Sequence, residues 1–164
     1  MHITRALGSG LAGAVAVTAV NEIARRTIPN APRLEVLGMR ALAATMRAAG
    51  RPVPGEGTLF YETLAGDLLS NALYYSVVGL GGRHGVWGRG ALLGLAAGLG
   101  AALLPPKLGL GHQPQERTPA TQIMTTAWYL IGGLAAAAAA QLLPAGERDA
   151  ASQPALVRGD GEGI

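Results

Sequence analysis

Four apolar stretches, each about as long as a bilayer is thick, constrain this chain more than any other feature. They run roughly over Leu7–Ile23, Leu64–Gly82, Val86–Leu104 and Ile123–Leu143. A helix needs ~20 apolar residues to cross a hydrocarbon core. Backbone groups in lipid must also be hydrogen-bonded within their own segment, which favours helices. The expected fold is therefore an all-α integral membrane bundle of four transmembrane helices. Alternating directions bring four helix ends to one face. That face collects Asn21, Glu22, Arg25, Asp67, Ser70, Asn71, Gln122, Thr125 and Thr126.

Composition supports the same class. Charged residues make up 14% of the 164 residues, against ~25% in soluble domains. The apolar mass is mostly Ala, Leu and Gly. Such small residues bury little area in a water-soluble core but let helices approach closely in lipid. The net charge of +3 sits mainly at the ends of apolar segments, where anionic headgroups lie. It forms no broad patch for nucleic acid. With no cysteine, thiolate chemistry, disulfides and cysteine metal sites are excluded.

The connections divide the chain. Asn21-Glu22 and Arg25-Arg26 close the first span, and Thr27–Pro32 breaks the helix through its prolines. Arg5, the apolar run and Ala14–Ala16 also resemble a secretory signal. The small-residue site falls inside the apolar run, however, so the segment reads as a retained span. Residues 33–49 form a basic amphipathic helix. Arg33, Arg40 and Arg47 share one line, with Leu34, Gly38, Leu42 and Met46 roughly opposite. Two placements fit that pattern: lying in the membrane interface, or packing over the bundle end with solvated arginines. Glu35, in the first turn, reads as a partner of the helix dipole.

Gly50–Thr58 is a loop by composition, and Phe60-Tyr61 mark re-entry into the interface. The short Gly81–Arg89 connection implies a tight antiparallel hairpin of spans two and three. Span three stops at Pro105-Pro106, and Lys107–Thr121 is a polar loop. Residues 1–144 make a single transmembrane domain, and 145–164 a polar tail expected to be disordered. Eight Lys or Arg lie on the side of the long first connection: Arg25, Arg26, Arg33, Arg40, Arg47, Arg51, Lys107 and Arg117. Five lie opposite: Arg5, Arg83, Arg89, Arg148 and Arg158. The positive-inside rule places the first side in the cytoplasm.

Chemistry-bearing residues concentrate on span two, where Thr63, Asp67, Ser70, Asn71 and Tyr74 fall within about a quarter of the circumference. An acid inside a span costs ~2.5–3.5 kcal/mol at the membrane centre. Asp67 therefore needs protein or water around it. The expected partner is Arg25, at similar depth to Glu22 on span one, with Asn71 bridging to Gln122 or Thr125. Two readings stay open: a polar vestibule for a small solute or proton, and an interhelical clasp that fixes packing. Interhelical hydrogen bonds average only ~0.6 kcal/mol, so a clasp would add register more than strength.

Gly90, Gly94 and Gly98, four apart, form a double small-xxx-small stripe, read as a packing face either inside the bundle or toward another chain. Gly8–Gly13 matches G-x-G-x-x-G, but no strand precedes it and no βαβ unit follows, so it is not a nucleotide motif. His2, His84 and His112 lack metal-ligand spacing, and Ser70 has no G-x-S-x-G elbow. Neither a metal nor a cofactor is expected. Tyr74-Tyr75 and Trp128-Tyr129 read as core or interface aromatics.

The pattern NE-x-x-RR, P-x-AP and AGD-x-x-SNA-x-YY is similar to that of small uncharacterised bacterial membrane proteins. The resemblance implies a bacterial inner membrane; it points to no named family and carries no functional residues. The leading expectation is a non-enzymatic accessory or scaffold subunit, held to the inner leaflet by its arginine helix. It would pack through its glycine face against a second copy or another membrane protein. The alternatives are a small-solute or proton transporter using Asp67, Asn71 and Glu22, and a lipid-acting enzyme with Asp67 or Glu22 as general acid/base.

Overall fold

A computed structural model describes residues 3–112 and 118–144; the tail from 145 onward lies outside the described residues. Five α-helices and one 3-10 turn are described: α1 (Ile3–Thr27), α2 (Leu34–Ala48), α3 (Glu56–Leu80), α4 (Val86–Leu103), the turn Pro105–Leu108, and α5 (Pro119–Leu142). The fold is an all-α bundle.

Two boundaries differ from expectation. α3 begins at Glu56, inside the segment read as loop, because Glu56 places an acid in the first turn against the helix dipole. α5 begins at Pro119, whose fixed φ suits the first helical position, where no N–H is needed.

The pairing of helices follows the small residues. α4 packs chiefly on α5, and α1 on both α3 and α5, while α3 and α4 touch little despite their short connection. The expected tight α3–α4 hairpin is therefore corrected: α4 docks on α5 instead, through the glycine stripe. A methyl built on Gly94 would fall 2.7 Å from the Tyr129 carbonyl oxygen, and one on Gly98 2.6 Å from Thr126 Cα. Gly90 faces the backbone of Gly133 in the same way. On the other side of α1, Gly10 lies against the Ala72 carbonyl, and Gly79 lies against Ala6 and the Arg5 carbonyl. The stripe is thus buried inside one chain, and the expected outward glycine face is not available to a partner.

The interior is small-residue and the exterior is leucine-rich. Buried positions include Ser9, Gly10, Gly13 and Ala14 of α1, and Gly132, Gly133, Ala136, Ala137 and Ala140 of α5. Leu7, Leu11 and Val15 of α1, Leu69, Leu73 and Val77 of α3, and Leu92, Leu95 and Leu99 of α4 are exposed. These recur every three or four residues, as outward stripes. A water-soluble protein rarely leaves so much contiguous apolar surface open. α1, α4 and α5 are each long and apolar enough to cross a membrane. α3 has the length, but Asp67, Ser70, Asn71 and two tyrosines dilute its apolar character.

Two buried aromatics lock the bundle. Tyr75 is fully buried, and its hydroxyl donates to the Tyr129 carbonyl at 2.7 Å, tying α3 to α5. Trp128 packs with Ala24 and Ala31 where α1 ends.

Candidate functional site: a polar niche beneath α2

The end of α1, the start of α2, the first half of α3 and Tyr129 of α5 converge on one cavity of about 40 Å³, where polar side chains meet Val17, Leu34, Phe60 and Leu64. A single water needs about 10–15 Å³, so this niche holds roughly three. Of the residues expected to form a vestibule or clasp, Glu22, Arg25, Asp67 and Asn71 line it. Asn21, Glu35 and Thr63 line it too.

The other four lie elsewhere. Ser70 is exposed, and its hydroxyl donates to the Asp67 carbonyl of its own helix at 3.2 Å. Tyr74 turns toward α4 and donates to the Leu93 carbonyl at 2.8 Å. Gln122 is exposed, on an apolar groove with Leu99 and Leu103 of α4. Thr125 is buried in α5 away from the niche, and its hydroxyl has no hydrogen-bond partner. Asn71 therefore does not meet Gln122 or Thr125 there.

The expected Arg25–Asp67 pair is replaced by one within α1. Arg25 grips Glu22 through two nitrogens, Nη2 lying 2.6 Å from Oε1. Arg26 Nε donates to the same Oε1 at 2.7 Å. Residues three and four apart on a helix are neighbours, so Glu22 is satisfied locally before any inter-helix partner competes. Glu35 pairs with Arg33 through one oxygen, while its other oxygen is buried without a hydrogen bond. The Asp67 carboxylate makes no hydrogen bond or ion pair to any described residue.

α2 roofs this junction. Its Gly38 sits so close to α3 that a methyl there would fall 2.5 Å from Thr63 Cγ2 and 3.3 Å from Asp67 Oδ2. Leu37 and Ala43 are buried, whereas Arg40 and Arg47 are exposed. Arg40 Nη1 donates to the carbonyls of Leu110 (3.1 Å) and His112 (2.8 Å), which ties the roof to the α4–α5 connection. The geometry is that of the second placement left open for this helix: it covers the bundle end and shows its arginines outward.

Sequence reasoning assigned Glu35 to the dipole alone and did not place Tyr129. The signal for Glu35 was present, since it falls on the apolar side of an otherwise basic helix.

The opposite end is sealed by arginines. Arg5 is 1% exposed; its Nε donates to the Ala140 carbonyl at 2.8 Å and its Nη1 to the Gly81 carbonyl at 3.0 Å. Arg89 donates to the carbonyls of Gly82 (2.6 Å), Val78 (3.2 Å) and His84 (3.1 Å). Arg83 donates to the Leu143 carbonyl at 3.0 Å. The last carbonyls of α3 and α5 lack helical partners, and guanidinium groups supply them. The sequence suggested only interfacial anchors at these positions.

No protein-family model, curated protein or solved structure matches this chain. What the fold and its surface define is a class: a multi-span helical membrane protein.

Proposed function

We propose that this is a four-span protein of a bacterial inner membrane that handles protons or a small cation at the niche beneath α2. One observation carries the reading. Asp67 stands at a junction of helices with no cationic side chain bonded to it, while its acidic neighbours Glu22 and Glu35 each have an arginine. An unpaired carboxylate in a partly dry site is costly, and such groups mark ion and proton paths. The cavity's volume of about 40 Å³ suits a few waters, a proton or a small ion.

The case for α3 as the fourth span rests on its partner. α3 lies along α1 from Gly79 beside Ala6 to Asp67 beside the Asn21–Arg25 turn, so the two helices run antiparallel over most of their lengths. The polar residues that dilute α3 turn partly inward, to the niche. The basic side of the bundle, including α2, would then face the cytoplasm. The exposed Arg40 and Arg47, with Arg33 at the start of α2, would meet anionic headgroups.

The test is proton flux in liposomes reconstituted with purified protein. Wild type should dissipate an imposed pH gradient faster than Asp67→Asn. Equal rates, both at the empty-liposome level, would remove the reading.

A second reading is an accessory subunit for another membrane protein. The far end favours it, since its arginines are committed to the carbonyls that close α3 and α5 and so give a rigid helical surface for a partner. Its contact surface would be the lipid-facing leucines or the α2 layer, because the glycine stripe is already used within the chain. Stoichiometric co-purification of one membrane protein from the native host would support this reading, and its absence would weaken it. Lipid enzymology has least support, because Glu22 is engaged by two arginines and leaves Asp67 without a second acid–base group.

A further inference from the structure

Four side chains from three helices line the niche, each with at least one oxygen that accepts no hydrogen bond from a described residue. Thr63 is 4% exposed, and its hydroxyl has no partner. Asn21 Oδ1 and Glu35 Oε2 are likewise buried and unbonded. The Asp67 carboxylate completes the set.

A buried polar atom with no partner costs about 1–3 kcal/mol, so several around one cavity call for an occupant. A proton on Asp67 would supply one donor and leave the other oxygens unserved. Waters could bridge some of these oxygens, but they bring no charge to offset the carboxylate. A bare cation is attracted by every oxygen at once and neutralises the carboxylate. Hard cations prefer such carboxylate, amide and hydroxyl oxygens.

Charge limits the cation. The cavity is lined by three carboxylates, Glu22, Glu35 and Asp67, and one guanidinium, Arg25. Arg26 and Arg33 reach Glu22 and Glu35 from outside the cavity, so three guanidiniums balance three carboxylates around it, two of them on Glu22 and none bonded to Asp67. No group of three or more His, Asp or Glu is gathered closely enough to hold a metal ion among the described residues. One unpaired carboxylate in a cluster that is neutral overall suits a monovalent cation rather than a divalent one.

We infer that the niche binds one dehydrated monovalent cation of sodium size, held by Asp67, the Thr63 hydroxyl and the Asn21 amide oxygen, with Glu35 closing the shell. This rests on the reading of the niche as a small-cation site. Gly38 is the roof residue that keeps the space open: any side chain there would press on Thr63 and Asp67.

The experiment is thermal unfolding of the full chain in mild detergent, at constant ionic strength, in sodium, potassium or choline chloride. Sodium at a hundred times its dissociation constant should raise the midpoint by about 5–10 °C over choline. Potassium should act at least ten-fold more weakly. Asp67→Asn should abolish the shift, and Thr63→Val, which keeps side-chain volume, should weaken sodium binding at least ten-fold. Ser70→Ala should change nothing. If Asp67→Asn does not fold, Thr63→Val and Gly38→Ala carry the test.

Equal stabilisation by potassium, or a sodium shift that survives Thr63→Val, would overturn the inference. A missing sodium shift together with Asp67-dependent proton flux would overturn it and leave the proton reading standing. Absence of both effects would remove both.

Discussion

Gly94→Ala is the perturbation that most sharply interrogates how this bundle is held together. The added methyl would lie 2.7 Å from the Tyr129 carbonyl oxygen and 2.8 Å from Leu130 Cα. Both are backbone atoms of α5, so no rotamer change can relieve the clash. A normal carbon–carbonyl contact needs more than 3 Å, so α4 and α5 must separate by several tenths of an ångström. Separation also loosens Gly90 on Gly133 and Gly98 on Thr126, since these contacts lie on one stripe. Overpacking of this kind costs about 1–3 kcal/mol.

Alanine is a better helix former than glycine by about 1 kcal/mol, which partly masks that cost. Gly100→Ala on the same helix removes the ambiguity, because its methyl would meet nothing nearer than Leu104 Cδ1 at 3.6 Å. The two variants share the propensity gain, so their difference isolates the packing. Reversible unfolding of each monomer in mixed micelles should place Gly94→Ala about 1–3 kcal/mol below Gly100→Ala. Identical stabilities would refute the internal α4–α5 interface. A change in oligomeric state at unchanged monomer stability would return the stripe to an external contact.

Arg5→Ala should cost about 2–4 kcal/mol in the same assay, because charge-assisted bonds to the Ala140 and Gly81 carbonyls are lost at a buried site; a loss under 0.5 kcal/mol, the usual scale for an uncommitted surface residue, would mean that Arg5 is a simple interfacial anchor. Tyr75→Phe should cost about 0.5–1.5 kcal/mol by deleting its bond to Tyr129, with the effect read as faster unfolding. Exchanging both Arg40 and Arg47 for Glu should reduce retention of anionic lipid in native mass spectrometry while leaving zwitterionic lipid unchanged; equal retention of both would argue that α2 does not face headgroups.

Hydropathy alone located α1, α4 and α5, and the arginine line of α2 was visible as a helical period. The gathering of Glu22, Arg25, Asp67 and Asn71 was legible because an antiparallel α1 and α3 bring the end of one beside the first half of the other. Which residue meets which was not. Periodicity reports the face a residue occupies on its own helix, not how that helix is rotated against its neighbours. That rotation is set here by close backbone contacts at Gly10, Gly79, Gly94 and Gly98, each needing a partner helix to become visible. The same limit explains Arg25, drawn to Glu22 on its own helix rather than across to Asp67.

It also explains the arginines of the far side. Charge counting treated Arg5, Arg83 and Arg89 as equivalents of Arg40 and Arg47. The first three instead serve the carbonyls at the ends of α3 and α5. Arg40 reaches loop carbonyls while remaining exposed, and Arg47 is exposed as well.

Everything proposed for Asp67 depends on α3 crossing the membrane. The absence of cysteine makes single-cysteine labelling with an impermeant maleimide clean. The informative positions are Arg51→Cys before α3, Gly82→Cys after it and His112→Cys after α4, all exposed. Arg51→Cys and His112→Cys should label from the cytoplasmic side, and Gly82→Cys from the opposite side. Labelling of Arg51→Cys and Gly82→Cys from the same side would mean that α3 does not cross, and the niche would lie outside a transmembrane bundle.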